Sequence, residues 1–412
     1  MANTLVTSTI VAKEGLAILK NMLSFSKNVN RDWQDEFSSN MSRGYAPGTT
    51  IQIKRPPRYF YRAGTVAAPQ TTVETTVPLT LSAGGCDIRF STLERTLSLT
   101  KLEEKIRAAM APVANEIDRQ GCQLARFSTF NLINAAGALP TTQALAIQAM
   151  TDTNARLDNM GTPVGDGQRA FIMNPRLNGA MIQGYAGLFN SQSKVAGQYS
   201  TGYMQDSFGL SPAMTQNIDV HTNGAATATN VNGAGQTGST ITVNAITGGT
   251  LARGTIINWP GVFAVNPQTR VFAVNPQTRT TTGELADFVV TADALLNATS
   301  ISVSPALTVT GAFQNVTASP TTAAAYTIRG AASTAYATNV AFHKDAFTLA
   351  MVPMLAPPEN MGALVSRQSS DGFNMKVTQY YDGANDVCNM RIDVLFGWAA
   401  TYPELSSKYY TV

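Results

Sequence analysis

The stretch from Thr100 to Asn134 constrains the rest of the chain most, because it reads as one long helix with a defined start. Thr100 with Glu103 three residues on forms a capping box, each side chain satisfying an orphan donor of the first turn. Leu102, Ile106, Ala109, Val113, Ile117, Leu124 and Phe127 recur near one face at helical spacing. Lys101, Glu104, Lys105, Arg107, Asn115, Asp118 and Arg119 decorate much of the rest. Uninterrupted, such a helix spans roughly 45–50 Å, more than the diameter of a small domain. Pro112 removes a backbone donor and is expected to bend the rod or split it in two, with Gly121 a second weak point. A two-sided rod flanked by β segments predicts a structural spine rather than a catalytic pocket.

A chain of 412 residues exceeds what one core usually holds, so two or three domains are expected. Charged residues make up 13%, about half the usual share, which argues against a charged disordered protein. A net charge of +3 creates no strong field, so polyanion binding is not the main business of the chain. Cys86, Cys122 and Cys388 are odd in number and form no CxxC, so neither a zinc knuckle nor a disulfide scaffold is expected. Val6 to Ile18 is broken by Lys13, Glu14 and Gly15, which predicts no signal peptide. No run reaches the roughly 18 apolar residues of a membrane span, and a soluble protein is expected.

Residues 3–30 carry a short helical pattern striped by Val11, Leu16, Leu19 and Leu23, an arm that lies on a neighbour or on its own domain. A charged link with Arg31, Asp32, Asp35 and Glu36 surrounds Trp33 and Phe37. From Thr49 to Phe90 the period changes to two: Ile51 and Ile53 alternate with polar residues, and Val73, Val77, Leu79 and Leu81 mark a return strand. The Ala63 to Gln70 segment between them is rich in turn residues, so a long, weakly buried hairpin is expected, one that needs a partner surface. Lys54, Arg55, Arg58 and Arg62 cluster there with Tyr59, Phe60 and Tyr61 interleaved. This pattern suits nucleic-acid contact by phosphate pairing and stacking, or charge complementarity to an adjacent subunit. The small net charge favours the subunit contact, and charge reversal at Arg58 or Arg62 is then expected to impair assembly without unfolding the subunit.

Residues 141–220 read as mixed α/β, with a helix over Thr141 to Leu157, a buried strand Ala170–Met173 closed by Asn174-Pro175, and a short helix over Asn178 to Phe189. From 221 to about 340 only seven charged side chains occur: Arg253, Arg270, Arg279, Glu284, Asp287, Asp293 and Arg329. Short β runs at Thr240–Val243, Thr255–Ile257, Phe288–Val290 and Ile301–Val303, separated by turn signals, predict a separately folded all-β insertion. Within it VFAVNPQTR occurs twice, as Val262 to Arg270 and Val271 to Arg279. Nine is odd, so two copies on one strand would present opposite faces. A hairpin with Val262–Asn266 and Val271–Asn275 as arms is expected instead. Val340 to Pro353 alternates at Phe347, Leu349 and Met351. Leu364 to Arg367, Phe373 to Tyr381 and Val387 to Trp398 then read as three antiparallel strands, turned at Asp371-Gly372 and Asp382-Gly383.

Catalytic chemistry finds no foothold in these residues. His221 and His343 lie in different segments, and His343 beside Lys344 and Asp345 lacks a nucleophile elbow. Gly233 to Gly238 matches GxGxxG, but a Thr/Asn loop precedes it and a β run follows, so loop composition explains it. Asp382, Asn385 and Asp386, like Asp166 between two glycines, are explained by turn formation. No catalytic residue, cofactor or metal site is expected.

The order of parts, with several local patterns, resembles the major capsid (coat) protein of short-tailed bacteriophages of the Salmonella P-twenty-two type. Phe171-Ile172-Met173-Asn174-Pro175 is similar to that family's buried strand. Gly254–Ile257 with Gly261–Asn266 is similar to strands of its insertion. Phe342–Phe347 resembles the strand re-entering the main domain, and Met390–Gly397 the last core strand, followed by Pro403-Glu404. Pro112 and the doubled nonapeptide depart from the pattern. The resemblance implies an α+β chain of the tailed-phage and herpesvirus capsid (Johnson) fold. Its parts would be an N-terminal arm (1–48), an extended loop (49–90), a spine helix with peripheral domain (91–140), and a first peripheral/axial part (141–220). An inserted β domain (221–340) and axial and peripheral strands (341–412) would follow. It further implies self-assembly as hexamers and pentamers into an icosahedral shell around double-stranded DNA, starting from a procapsid built with scaffolding protein and portal. Such a protein is made in the bacterial host cytoplasm and ends in the virion, with no membrane partner. A β-rich adhesin or tail fibre is the competing structural reading.

Overall fold

A computed structural model describes residues 23–33, 48–59, 64–67, 69–91, 102–185, 208–265, 281–355, 363–370 and 373–412. The mixed α+β chain is predominantly β. Strands β1 (Thr50–Arg55), β2 (Thr75–Thr80) and β3 (Ser82–Ser91) precede helix α1 (Leu102–Ser128). Then come β4 (Asn131–Ile133), α2 (Gln143–Asn159), β5 (Arg169–Met173) and α3 (Pro175–Tyr185). Next are β6 (Ser211–Met214), β7 (Val220–Thr222), β8 (Gly238–Thr242), β9 (Ile256–Val265), β10 (Thr281–Val290), β11 (Ser300–Leu307) and β12 (Thr327–Ile328). Last are β13 (Ala335–His343), β14 (Phe347–Met351), β15 (Ala363–Ser370), β16 (Phe373–Asp382), β17 (Val387–Ala400) and β18 (Ser406–Thr411). These residues gather into two compact units.

The first unit takes its described residues from Met1–Ile53, Val77–Gly121 and Thr348–Ala399. Helix α1 runs unbroken through Pro112 and Gly121, so the expected split does not occur. The reason is placement: Pro112 and Ala108, whose carbonyl loses its helical donor, are both exposed, and water can serve that carbonyl. Ala109, Met110, Val113, Ala114, Ile117, Asp118 and Cys122 form the buried stripe. Thr100 and the side chains of residues 102–107 lie outside the described residues, and the capping box with them. The helix ends at Ser128, short of Asn134. Beyond it the backbone joins a sheet, because β4 pairs in parallel with β18.

Asp118 corrects the reading that put it on the polar face. It is 1% exposed and accepts the backbone N–H groups of Ser24 (2.8 Å), Phe25 (3.2 Å) and Ser26 (3.1 Å) and the Ser26 hydroxyl. Those bonds hold residues 23–30 in turns and bends, where a helix was expected. The rest of that helical pattern lies outside the described residues. Gly121 lets the strap close: a Cβ there would sit 2.7 Å from both the Phe25 and the Trp398 ring. Arg31 lies over the Phe373 ring at 3.7 Å and bonds the Ser26 carbonyl at 2.6 Å. Strands β15, β16 and β17 form the expected antiparallel meander, and β3 pairs with β17 from Ser82↔Phe396 to Ser91↔Val387. The Asp371-Gly372 turn lies outside the described residues. Buried Ile51, Ile53, Leu79 and Leu81 pack with Ala350, Val352 and Ala399.

The second unit takes its described residues from Lys54–Thr76, Cys122–Phe347 and Ala400–Val412. Its six-stranded sheet runs β4-β18-β13-β5-β6, with β7 also on β13. Thr142 caps α2 through Leu145 N–H, and α3 starts with Pro175 after Asn174 accepts Leu177 N–H at 2.8 Å. Both helices cover Phe171 and Met173 through Met150, Leu157 and Met181. The expected short helix over Asn178 to Phe189 begins earlier and is described only as far as Tyr185. Strand β18, buried along its whole length, is an element the sequence reading missed. The β runs of residues 238–328 form a five-stranded sheet ordered β12-β9-β10-β11-β8 around Trp259, Phe288, Ile241 and Val303.

The hairpin expected between the two VFAVNPQTR copies falls mostly outside the described residues, which include only Val262–Val265 of it. Val265 faces Thr281 and Phe263 faces Leu285, while Ala264 bridges Val316 on the other side. Both edges of the first copy's described residues 263–265 are therefore engaged. Residues 266–280, with the second copy, lie outside the described residues.

Candidate intersubunit surface

Period-two alternation makes the hairpin. Ile51, Ile53, Leu79 and Leu81 face inward at its base, with Gln52 and Lys54 outward. Cross-hairpin bonds link Thr50 to Thr80 (2.9 Å), Lys54 to Glu74 (3.0 Å) and Tyr59 to Thr72 (2.9 Å), which sets the strands antiparallel. Beyond Ile53 the apolar facing stops. Residues 64–67 and 69–76 are exposed throughout, with Val66 at 82% and Val73 at 51%. An isolated hairpin of that kind is marginally stable in water and presents open edges.

The cluster expected on this hairpin divides in the structure. Lys54 and Glu74 form an exposed pair of the sort that contributes little to stability. Arg55 lies over the Tyr402 ring at 5.4 Å. Arg58 is held more firmly: Glu404 accepts from it at 3.1 Å, their side chains are 17% and 12% exposed, and the guanidinium also faces Phe313. Reversing Arg58 would therefore place two carboxylates together inside the fold, so Lys54 is the cleaner position for testing a contact. Tyr59 is 42% exposed. Phe60, Tyr61 and Arg62 lie outside the described residues.

A buried ionic joint, which the sequence reading did not find, ties the five-stranded sheet to β4. Asp287, on the bulged strand β10, pairs with Arg156 at 3.1 Å and accepts Leu132 N–H at 3.2 Å. Arg156 also binds Glu284, and Arg329 approaches Asp287 to 3.9 Å. Burial pushes the Asp287 carboxyl above its ordinary range, against the pull of Arg156 and Arg329. A second centre surrounds Lys408. Its fully buried ammonium donates to the Arg126 carbonyl in the last turn of α1, where a cation suits the helix dipole. Burial, then the Arg126 charge, pulls Lys408 down to about 7. Burial, then Lys408 and Arg126, pulls His221 down to about 3, and its ring stacks near Tyr410.

His343 is likewise structural. It bonds Asp166 at 2.8 Å and accepts Asp345 N–H as the cap of a short 3₁₀ turn. Burial raises Asp166, but the Gln168 N–H and His343 outweigh it and hold the carboxyl low. Asp382 accepts from Ala384 N–H and the Asn385 amide, as a turn residue does. The Gly233–Gly238 match runs from loop into β8. Among the described residues no group of three His, Cys, Asp or Glu side chains could hold a metal ion, and no helix is long and apolar enough to cross a membrane.

A family model described as "P22 coat protein - gene protein 5" matches residues 71–407. No curated protein matches the chain in sequence. Among solved structures, a chain of Mycobacterium phage Che8 is 11% identical at a TM-score of 0.48, over 94% of this chain and 90% of that one. The capsid of Ralstonia phage GP4 is 6% identical at 0.43, over 88% and 83%. The asymmetric unit of the bacteriophage PhiM1 mature capsid is 9% identical at 0.41, over 89% and 82%.

Proposed function

The chain belongs to the P22 coat protein family and is a phage major capsid protein that associates with itself to form the shell, and from that premise we propose that the hairpin of residues 49–90 is its reach to the next subunit. The supporting observation is that residues 64–67 and 69–76 of its outer part are all exposed, with Val66 and Val73 among them. Lys54, Arg55, Tyr59, Tyr61 and Arg62 are the contact residues of this reading, with Arg58 anchoring the hairpin base through Glu404. Family membership displaces the adhesin or tail-fibre alternative.

In the same reading residues 1–48 are the N-terminal arm and 91–140 the spine with peripheral domain. Residues 141–220 and 341–412 form peripheral and axial parts, and 221–340 the inserted β domain. Hexamers and pentamers close into an icosahedral shell through heterologous contacts. Scaffolding protein and portal take part in assembly in the host cytoplasm, and double-stranded DNA meets the inner face without sequence preference. No catalytic role is assigned.

Replacing residues 60–70 with a two-residue turn tests the hairpin. The variant subunit should unfold at the same denaturant concentration as the parent, yet electron microscopy should show no shells under assembly conditions. Normal shells from that variant would remove the hairpin from the contact.

A further inference from the structure

The second unit carries a partly open cavity of about 360 Å³ lined by the hairpin base, β9–β11 and residues 402–405. That volume falls at the small end of the ~300–1,000 Å³ range of ligand sites. Phe130, Met160, Phe288, Pro305 and Phe313 lie on its wall, which is mostly apolar. Apolar walls hold water poorly and favour an apolar occupant.

The charges on the wall narrow the choice. Asp287 is matched by Arg156 and Arg58 by Glu404, each pair at 3.1 Å. Among the described residues Arg55 faces the Tyr402 ring, and its buried Nε has no hydrogen-bond partner. One unmatched guanidinium beside a hydrocarbon wall suits a monoanion, and a carboxylate can take two parallel N–H bonds from it. A phosphate monoester brings nearly two charges to that single cation and is less well matched.

We propose that this cavity binds a small apolar carboxylate, its charged end on Arg55 and its hydrocarbon against Phe130, Phe288 and Phe313. The occupant would fasten the hairpin base to the five-stranded sheet. Titration calorimetry on full-length, unassembled subunits tests this with octanoate and its neutral counterpart 1-octanol. Octanoate should bind at least about tenfold more tightly, the margin of one charge-assisted hydrogen bond. Arg55→Met should abolish that preference while leaving octanol binding in place. Ala306→Trp, at an exposed lining position, should block both without unfolding the subunit. Absence of octanoate binding, equal affinity for the two probes, or octanoate binding unchanged in either variant would overturn the proposal. Calorimetry on unassembled subunits reads this binding separately from shell formation, in which Arg55 has its own proposed part.

Discussion

Asp118 and Ser26 are joined twice: one carboxylate oxygen accepts both the Ser26 N–H at 3.1 Å and the Ser26 hydroxyl at 2.5 Å. The other oxygen takes Ser24 and Phe25 N–H groups, so one side chain of α1 organises three successive residues of the strap. Asp118→Ala leaves those donors without an acceptor. At about 1–3 kcal/mol for each buried orphan, the variant should lose at least ~3 kcal/mol in urea denaturation of the unassembled subunit. Asp118→Asn keeps one acceptor oxygen and should lose less. A loss below ~1 kcal/mol in the alanine variant would contradict this role.

Gly121→Ala should destabilise the same unit, although alanine is the better helix former by about 1 kcal/mol. The new methyl would lie 2.7 Å from the Phe25 and Trp398 rings, and overpacking of that kind costs about 1–3 kcal/mol. A lowered thermal midpoint is expected. A raised one would show that the two rings yield.

Lys408 makes stability depend on pH in a defined direction. Its folded-state pKa of about 7 lies below the ordinary 10.5, so the unfolded chain holds this proton more tightly. Its contribution to stability is greatest above about 10.5, falls as pH drops toward about 7, and levels off below. Lys408→Met should flatten the stability difference between pH 7 and pH 9 relative to the parent, and at pH 7 it should be at least as stable, since no buried ammonium remains to be desolvated. Denaturation of both proteins at the two pH values checks this. Equal slopes would exclude the buried amine as the cause.

Breaking the ionic joint from one side should be costly. Arg156→Met leaves Asp287 buried without its nearest cation, a change worth about 3–5 kcal/mol. Adding Asp287→Leu should recover a large part of that loss. If the two losses add without recovery in a double-mutant cycle, the pair is not coupled.

The sequence was most informative where a pattern is local. Alternation gave the β15–β17 meander and the hairpin, and helical spacing gave α1 and α2. It failed where distant pairing decides the outcome. Asn131 to Asn134 continued a helical pattern, but β18 claims that backbone across some 275 residues of chain. Asp118 was legible in principle, because it falls at i+4 from Ala114 and three before Gly121, inside the buried stripe. Its charge suggested the surface, and only the facing N–H groups of residues 24–26 reverse that. Lys408 and Asp287 carried no local signal, since their partners at Arg126 and Arg156 lie far away in sequence.

The position of β18 also bears on the order of events during synthesis. It sits between β4 and β13, strands that precede it by some 275 and 70 residues. A nascent chain that has not yet emerged through residue 411 exposes both of those strand edges at once. Sheet closure therefore waits for residues 406–411. Chains arrested before residue 406 should be taken up by chaperones or proteases rather than incorporated into a growing shell.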